Sequence, residues 1–536
     1  MKPVSVKQAK KKILFASLLF LFVFSSYALA FKGKWFSMDD LGVIINGLIK
    51  NWTDFARVFS EDIRNYASTY NYNFPKANLL SGLFRPMQNL FFSAIYHLFG
   101  ANAYAFHLLH ISFHALNTAL FFLLCSYWIP LSISFLGSLL FAFYPQLGWM
   151  GWICTMQHTL TLFFLLLTIL TYIPLLKRIN KPLSHKPLFY LSGFCFLLSM
   201  LSRETTFPLA PWAFFGIYLF YTNKTESLLK KITFSLTKTW IFFAASTIYW
   251  GMRIYAFGFG SLTRTVRNIF IQLPFLAKLL PTPASLEQRT TSITSITKQI
   301  SSQAVSTNVL EIISKKLSIF TSKFFIWTSL ILNHASNSPL AKIIITLFVI
   351  FLLCFLFIAY RKQKKVLLFL GSAIPLFVWS CFMVYPAVRY MNTAYPLFIF
   401  IVILGISFFQ KNKPSKTQKY FFLLPLFFFI SLSLFNGFQS NIIREIHTPK
   451  SDYRKNRYFT FFKENKFEEK SDFIFISTLD ESDLEQMLQV ASENKHLKAA
   501  HIVISKLASK GHFECTGDYR LNNIKYEITP IPSGYR

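Results

Sequence analysis

Between residues 1 and 437 only nine side chains carry a carboxylate: Asp39, Asp40, Asp54, Glu61, Asp62, Glu204, Glu226, Glu287 and Glu311. Five of the nine fall between Asp39 and Asp62. A carboxylate pair in so acid-poor a chain suits general-base work, which needs a base within hydrogen-bond reach of the proton it removes. The plainer role for Asp39-Asp40 is to cap a helix starting near Leu41, since Asp is a favoured N-cap. Three arginines stand at the edges of apolar runs, in Leu83-Phe84-Arg85-Pro86, Ser202-Arg203-Glu204-Thr205 and Val388-Arg389-Tyr390-Met391-Asn392. A guanidinium binds phosphate oxygens bidentately. Lipid headgroups for Arg85, and a mutual ion pair for Arg203 and Glu204, are the ordinary alternatives. His107, His110, His114 and Asn117 fall within about 80° of one helical face. They suit interhelical hydrogen bonds, and no nearby carboxylate or thiol completes a zinc site.

The elements that must position these residues are membrane spans. The 536-residue chain is 53% hydrophobic and 18% aromatic, with mean hydropathy +0.41. Only 15% of it is charged, against about 25% in soluble proteins. Apolar runs near bilayer length predict eleven spans, at 13–31, 103–126, 131–146, 157–175, 188–202, 205–221, 235–256, 342–360, 366–385, 394–410 and 419–437. The first run, after the basic Met1–Lys12, has a signal-like form and is read as a retained helix. The basic connections Met1–Lys12, Leu176–Lys186, Asn223–Lys231, Arg361–Lys365 and Lys411–Lys419 then all fall on one side, which the positive-inside rule makes cytoplasmic. The opposite side holds a first outer loop at 32–102, a long outer loop at 258–341, and the C-terminal region. Asp39, Arg85, Arg203 and Arg389 all face that side. Three arginines and an acid pair there describe a site for a phosphate leaving group and a hydroxyl nucleophile. The apolar stretch 318–334 is read as lying on or re-entering the outer face.

The net charge of +32 does not point to nucleic acid. From Phe438 onward the chain carries 15 Lys/Arg and 14 Asp/Glu, so the excess sits in short membrane loops. The six cysteines show no metal-ligand spacing and predict no disulfide framework. Residues 438–536 read as a small extracytoplasmic α/β domain, with strands at Asp472–Ser477 and Ala499–Ser505, a helix near Ser482–Lys495 and a third strand at Tyr526–Ile531. The expected fold is therefore an all-α polytopic domain over 1–437 followed by that small α/β domain.

In order along the chain, Asp39-Asp40, Arg85-Pro86, Leu98-Phe99-Gly100 with His107, His114 and Asn117, Phe141-Ala142 with Pro145, Trp149 and Trp152, Ser202-Arg203-Glu204 and Arg389-Tyr390 resemble the GT-C superfamily of polyprenyl-phosphate-sugar glycosyltransferases. That group includes protein O-mannosyltransferases and lipid A aminoarabinose transferases. The resemblance covers roughly residues 13–410. It departs from the family where Tyr144-Pro145 stands for His-Pro and Arg203-Glu204 for Lys-Glu, and no tetratricopeptide array follows.

The resemblance implies an inverting transfer to a protein, lipid or glycan acceptor. Asp39, or else Asp40, would be the base. Arg203, Arg389 and Arg85 would stabilise the departing polyprenyl phosphate, with Glu204, Tyr390, His107 and His114 as further substrate contacts. A divalent metal, Mg or Mn, at Asp39 and Asp40 is compatible with the family. The implied setting is a bacterial inner membrane, with the N-terminus cytoplasmic and the C-terminus periplasmic. Two other readings fit the hydropathy. An O-antigen ligase or polymerase would lean on a His-rich late loop, where only His334 occurs. A transporter or flippase would show inverted repeats, which the sequence lacks.

Overall fold

The computed structural model describes residues 6–32, 48–60, 84–143, 150–176, 186–222 and 227–257, with isolated positions at 34, 36, 40 and 44, between 396 and 443, and in two short strands at 519–526. Nine helices lie among the described residues: α1 (Val6–Ala30), α2 (Trp52–Ser60), α3 (Pro86–Phe99), α4 (Ala103–Cys125), α5 (Leu131–Ala142), α6 (Met156–Leu176), α7 (Lys186–Ser202), α8 (Leu209–Tyr221) and α9 (Leu228–Phe257). The strands β1 (Tyr519–Leu521) and β2 (Ile524–Tyr526) pair antiparallel, with Tyr519 opposite Tyr526. The expected third strand overlaps β2 only at Tyr526. The other elements expected in 438–536, the long outer loop, and the spans at 342–360 and 366–385 lie outside the described residues, and the spans at 394–410 and 419–437 are described only at isolated helical positions.

The first seven expected spans fall on helices, with their ends moved by local chemistry. Three segments, Lys7–Ala30, Ala103–Cys125 and Ile153–Leu176, are long and apolar enough to cross a membrane, while Leu131–Ala142 and Pro187–Ser202 are shorter apolar helices. Large apolar side chains stand exposed on α1 (Ile13, Leu14, Leu21) and on α7 (Tyr190, Leu191, Phe194). Such faces are tolerated against lipid and costly against water. α8 starts at Leu209 rather than 205, because Glu204–Thr206 forms a 3-10 turn and Pro208 takes the N-cap. α9 starts at Leu228, so Lys230 and Lys231, expected in a loop, sit in its first turn. α3 is amphipathic in an unexpected sense. Gln88, Asn89 and Ser93 are buried while Leu98 and Phe99 are exposed.

Polar bonds between apolar helices fix the bundle, as they do where no water competes. Ser192 on α7 donates to the Thr168 carbonyl of α6 at 3.0 Å, and Ser199 donates to that of Thr161 at 2.8 Å. One turn pair forward on α7 meets one turn pair back on α6, so the two helices are antiparallel. Asn117 Nδ2 on α4 donates to the Thr159 carbonyl at 2.8 Å. Tyr27 on α1 and the His114 ring on α4 both meet the Ala142 carbonyl at the end of α5, at 2.9 and 3.0 Å. The Tyr104 hydroxyl at the start of α4 donates to the Ala28 carbonyl near the end of α1, at 3.3 Å. The ends of α1, α5, α7 and α9 thus gather with the starts of α3, α4, α6 and α8.

Candidate functional site

That end of the bundle holds a chain of buried polar groups. Asp40 is fully buried, and its Oδ1 accepts from the Cys154 backbone N–H at 2.7 Å. It therefore caps the 3-10 turn Ile153–Thr155 ahead of α6, more than a hundred residues away; a helix beginning at Leu41 lies outside the described residues. Gln88 Nε2 on α3 donates to the Cys154 carbonyl at 2.8 Å. Gln157, with its amide oxygen facing the donor, accepts from Arg85 Nη1 at 3.0 Å and donates to that same Cys154 carbonyl. The turn before α6 is thus clamped by the first loop on one side and by α3 on the other.

Arg203 is 1% exposed and ranks among the largest fully buried side chains. Its Nη1 lies against the His158 ring on α6, 3.1 Å from Nε2. Arginine has no acceptor to offer, so the imidazole must accept. Arg253, four residues from the end of α9, is 3% exposed. Its Nη1 donates to the Tyr249 hydroxyl at 3.0 Å, and its guanidinium lies 5.7 Å from the centre of the Trp250 ring. Glu204, with an 18% exposed side chain, faces Arg253 Nη1 at 3.9 Å. Burial pushes the Glu204 carboxyl up, but Arg253, Arg203 and Arg85 together hold it below the ordinary carboxylate range. Arg253 thus stands at ion-pair distance from the carboxylate, and Arg203 and Arg85 add their fields to it.

A buried charge needs partners, and an incomplete set is costly. Arg85 Nε and Thr205 Oγ1 are buried with no hydrogen-bond partner among the described residues. Buried donors left in this way mark places where a ligand or water completes the set. An apolar cavity of about 650 Å³ lies between α4, α6, α8 and α9, with Pro396, Phe400 and Leu404 also in its wall. Leu162, one turn below His158, and Leu209, just past the Glu204 turn, belong to its wall. The wall runs on to Tyr172, Leu176 and Tyr221 at the far ends of α6 and α8.

No protein-family model matches the chain, and no curated protein matches it in sequence. Among solved structures the fold is similar to membrane oligosaccharyltransferases and to ArnT. The archaeal oligosaccharyltransferase AglB from Archaeoglobus fulgidus, in complex with an inhibitory peptide and a dolichol-phosphate, is 12% identical at a TM-score of 0.47, over 92% of this chain and 65% of that one. ArnT from Cupriavidus metallidurans, bound to undecaprenyl phosphate, is 10% identical at a TM-score of 0.44, over 93% of this chain and 87% of that one. The chain thus spans just under two thirds of the length of AglB.

Of the residues expected from the sequence, the structure brings Arg85, Arg203 and Glu204 into one electrostatic cluster and links Asp40 to Arg85 through the Cys154 turn. Asp39, Arg389 and Tyr390 lie outside the described residues. His107 and His114 are buried on α4, where His107 stacks on Phe31 at 5.5 Å and His114 meets the Tyr27 ring edge-on at 5.4 Å. His114 and Asn117 carry the interhelical hydrogen bonds that their spacing suggested. Among the described residues no three His, Cys, Asp or Glu side chains gather as a metal site would need. Sequence reading missed Arg253, His158, Gln88 and Gln157. For Arg253 a signal was present: it is a lone arginine inside an apolar run, and such residues face partners or cavities.

Proposed function

We propose that the protein is a membrane glycosyltransferase that takes a sugar from a polyprenyl-phosphate carrier. One observation carries the reading. A cluster of three guanidinium groups lies near one end of an apolar cavity, close in sequence to its wall residues Leu162 and Leu209, and a ligand with an anionic head and a long apolar tail suits both. A lipid phosphate has that form. The phosphate meets Arg203, Arg253 and Arg85, the tail follows α6 and α8 into the cavity, and the sugar points toward the first loop.

In this mechanism the acceptor hydroxyl loses its proton to a carboxylate and attacks the anomeric carbon from the face opposite the phosphate. The C–O bond to phosphate breaks, and fixed cations hold the charge that develops on the departing oxygen. We assign the base to Asp39. Asp40 is committed to the Cys154 N–H and is fully buried, so its part is to hold the turn that presents Gln157 and His158. Arg389 and Tyr390 are further donors toward the phosphate. The site faces the extracytoplasmic side of a bacterial inner membrane, the acceptor is a protein, lipid or glycan, and any divalent ion would draw on Asp39.

The test pairs binding with loss of product. Purified protein in lipid nanodiscs binds undecaprenyl phosphate, and Arg253→Gln weakens that binding at least tenfold. Envelope glycans of a deletion strain, read by mass spectrometry, lose one sugar while carrier flipping continues. Loss of flipping with every glycan intact would make the protein a transporter.

A further inference from the structure

Glu204 has the wrong charge to hold a phosphate, yet it faces Arg253 and lies in the field of Arg203 and Arg85. Its carboxylate is 3.9 Å from Arg253 Nη1, an ion-pair distance too long for a hydrogen bond. Its side chain is 18% exposed where that of Arg253 is 3%, and Arg203 is 1% exposed, so the anion is more open than these two cations. It is carried on a three-residue 3-10 turn, Glu204–Thr206, rather than on a long helix. Ser199 ties that turn to α6, pairing with the Thr206 hydroxyl at 3.2 Å while donating to the Thr161 carbonyl.

Charge points the same way. The donor's phosphodiester carries about −1, and the polyprenyl phosphate left after transfer, a monoester, carries about −1.5 to −2 at neutral pH. A carboxylate and a phosphate on the same cations repel each other, more strongly for the product than for the donor.

We propose that Glu204 is a displaceable counterion, which holds the three arginines in place when no phosphate is bound, swings toward the exposed side when the donor phosphate arrives, and returns to expel the polyprenyl phosphate left after transfer. The inference rests on the donor reading of this site and adds a role for the one acid in it. Glu204 is then a positioning residue that trades ground-state affinity for release. An interaction that binds substrate and product too tightly slows turnover, so a built-in competitor raises kcat at the expense of affinity.

The experiment measures equilibrium binding and dissociation of undecaprenyl phosphate with the full chain in nanodiscs, beside single-turnover and steady-state transfer. Glu204→Gln is expected to tighten binding about tenfold, to slow dissociation, and to lower the steady-state rate while the single-turnover rate holds. Arg253→Gln/Glu204→Gln, which removes one charge of each sign, is expected to return to within a few-fold of wild-type affinity. Should Glu204→Gln fail to fold, the comparison of Arg253→Gln with Arg253→Gln/Glu204→Gln asks the same question, and the double variant should bind more tightly. Weaker or unchanged binding on loss of the carboxylate, in a folded protein, overturns the counterion role and leaves the donor reading standing. Wild-type protein that binds undecaprenyl phosphate no better than phosphate-free polyprenol overturns both.

Discussion

At the scale of single residues, the proposed mechanism gives the adjacent acids Asp39 and Asp40 different jobs. Asp40 accepts from a backbone N–H inside the bundle. Asparagine caps about as well as aspartate, whereas alanine costs about 0.5–2 kcal/mol. Asp40→Asn is therefore expected to keep the fold, and Asp40→Ala to lower the melting temperature of the detergent-solubilised protein. Asp39→Asn should leave melting unchanged and slow transfer by roughly two to four orders of magnitude, the usual size of a general-base contribution; a near-normal rate in purified Asp39→Asn protein would remove Asp39 from the mechanism. Arg203→Lys keeps the charge but loses the planar fork. It should cut both transfer and undecaprenyl phosphate binding even where the protein remains folded. Glu204 adds a pH signature. Because its folded pKa lies below the ordinary range, its charge stabilises the fold above the unfolded value of about 4.3. That stabilisation fades as the pH falls through the lower folded value. The stability gap between wild type and Glu204→Gln, measured by thermal melting, should narrow as pH drops below about 4.3.

Helices were the legible part of this chain, because a span announces itself by length and hydropathy and needs no partner to be read. The ends were less so. Lys230 and Lys231 look like loop residues and instead open α9, whose 30 residues run about 45 Å, well beyond a hydrocarbon core of about 30 Å. The site was half legible for the same reason. Arg203-Glu204 sits in a polar break between spans and stands out, but Arg253 belongs to a helix whose orientation the sequence does not reveal, and only its approach to Glu204 shows its part. Gln88 and Gln157 are ordinary in type and gain meaning only from the shared Cys154 carbonyl. Close packing places these pieces. A Cβ on Gly193 of α7 would clash with Ile241 Cγ1 on α9, and a β-branched side chain in a helix has little rotamer freedom to give way. Gly193→Ala should therefore destabilise the protein by about 1–3 kcal/mol and weaken lipid-phosphate binding by shifting Arg253. Adding Ile241→Ala should restore both, as read by melting and by undecaprenyl phosphate affinity.

For the molecule as a whole, the proposed reading has the head and tail of the ligand handled by different physics. The polar end is over-determined by charge, while the apolar end is a slot walled by α4, α6, α8 and α9. Filling the slot without touching the arginines separates the two. Gly216 lines the wall on α8, and Gly216→Phe is expected to abolish transfer from a full-length polyprenyl donor while sparing a short-tailed, water-soluble analogue. Loss of both activities to the same degree would place the tail elsewhere. Along α6 the slot extends from Leu162 to Leu176, about 21 Å at 1.5 Å per residue. A measuring stick of that length can inspect only the isoprene units nearest the phosphate. Everything beyond drifts in the bilayer unread. A donor shorter than the slot forfeits rate in proportion to what it leaves unfilled, and a longer one gains nothing. Moved into a host whose carriers are several units longer or shorter at their far end, the protein should go on working, indifferent to a difference it has no means to sense.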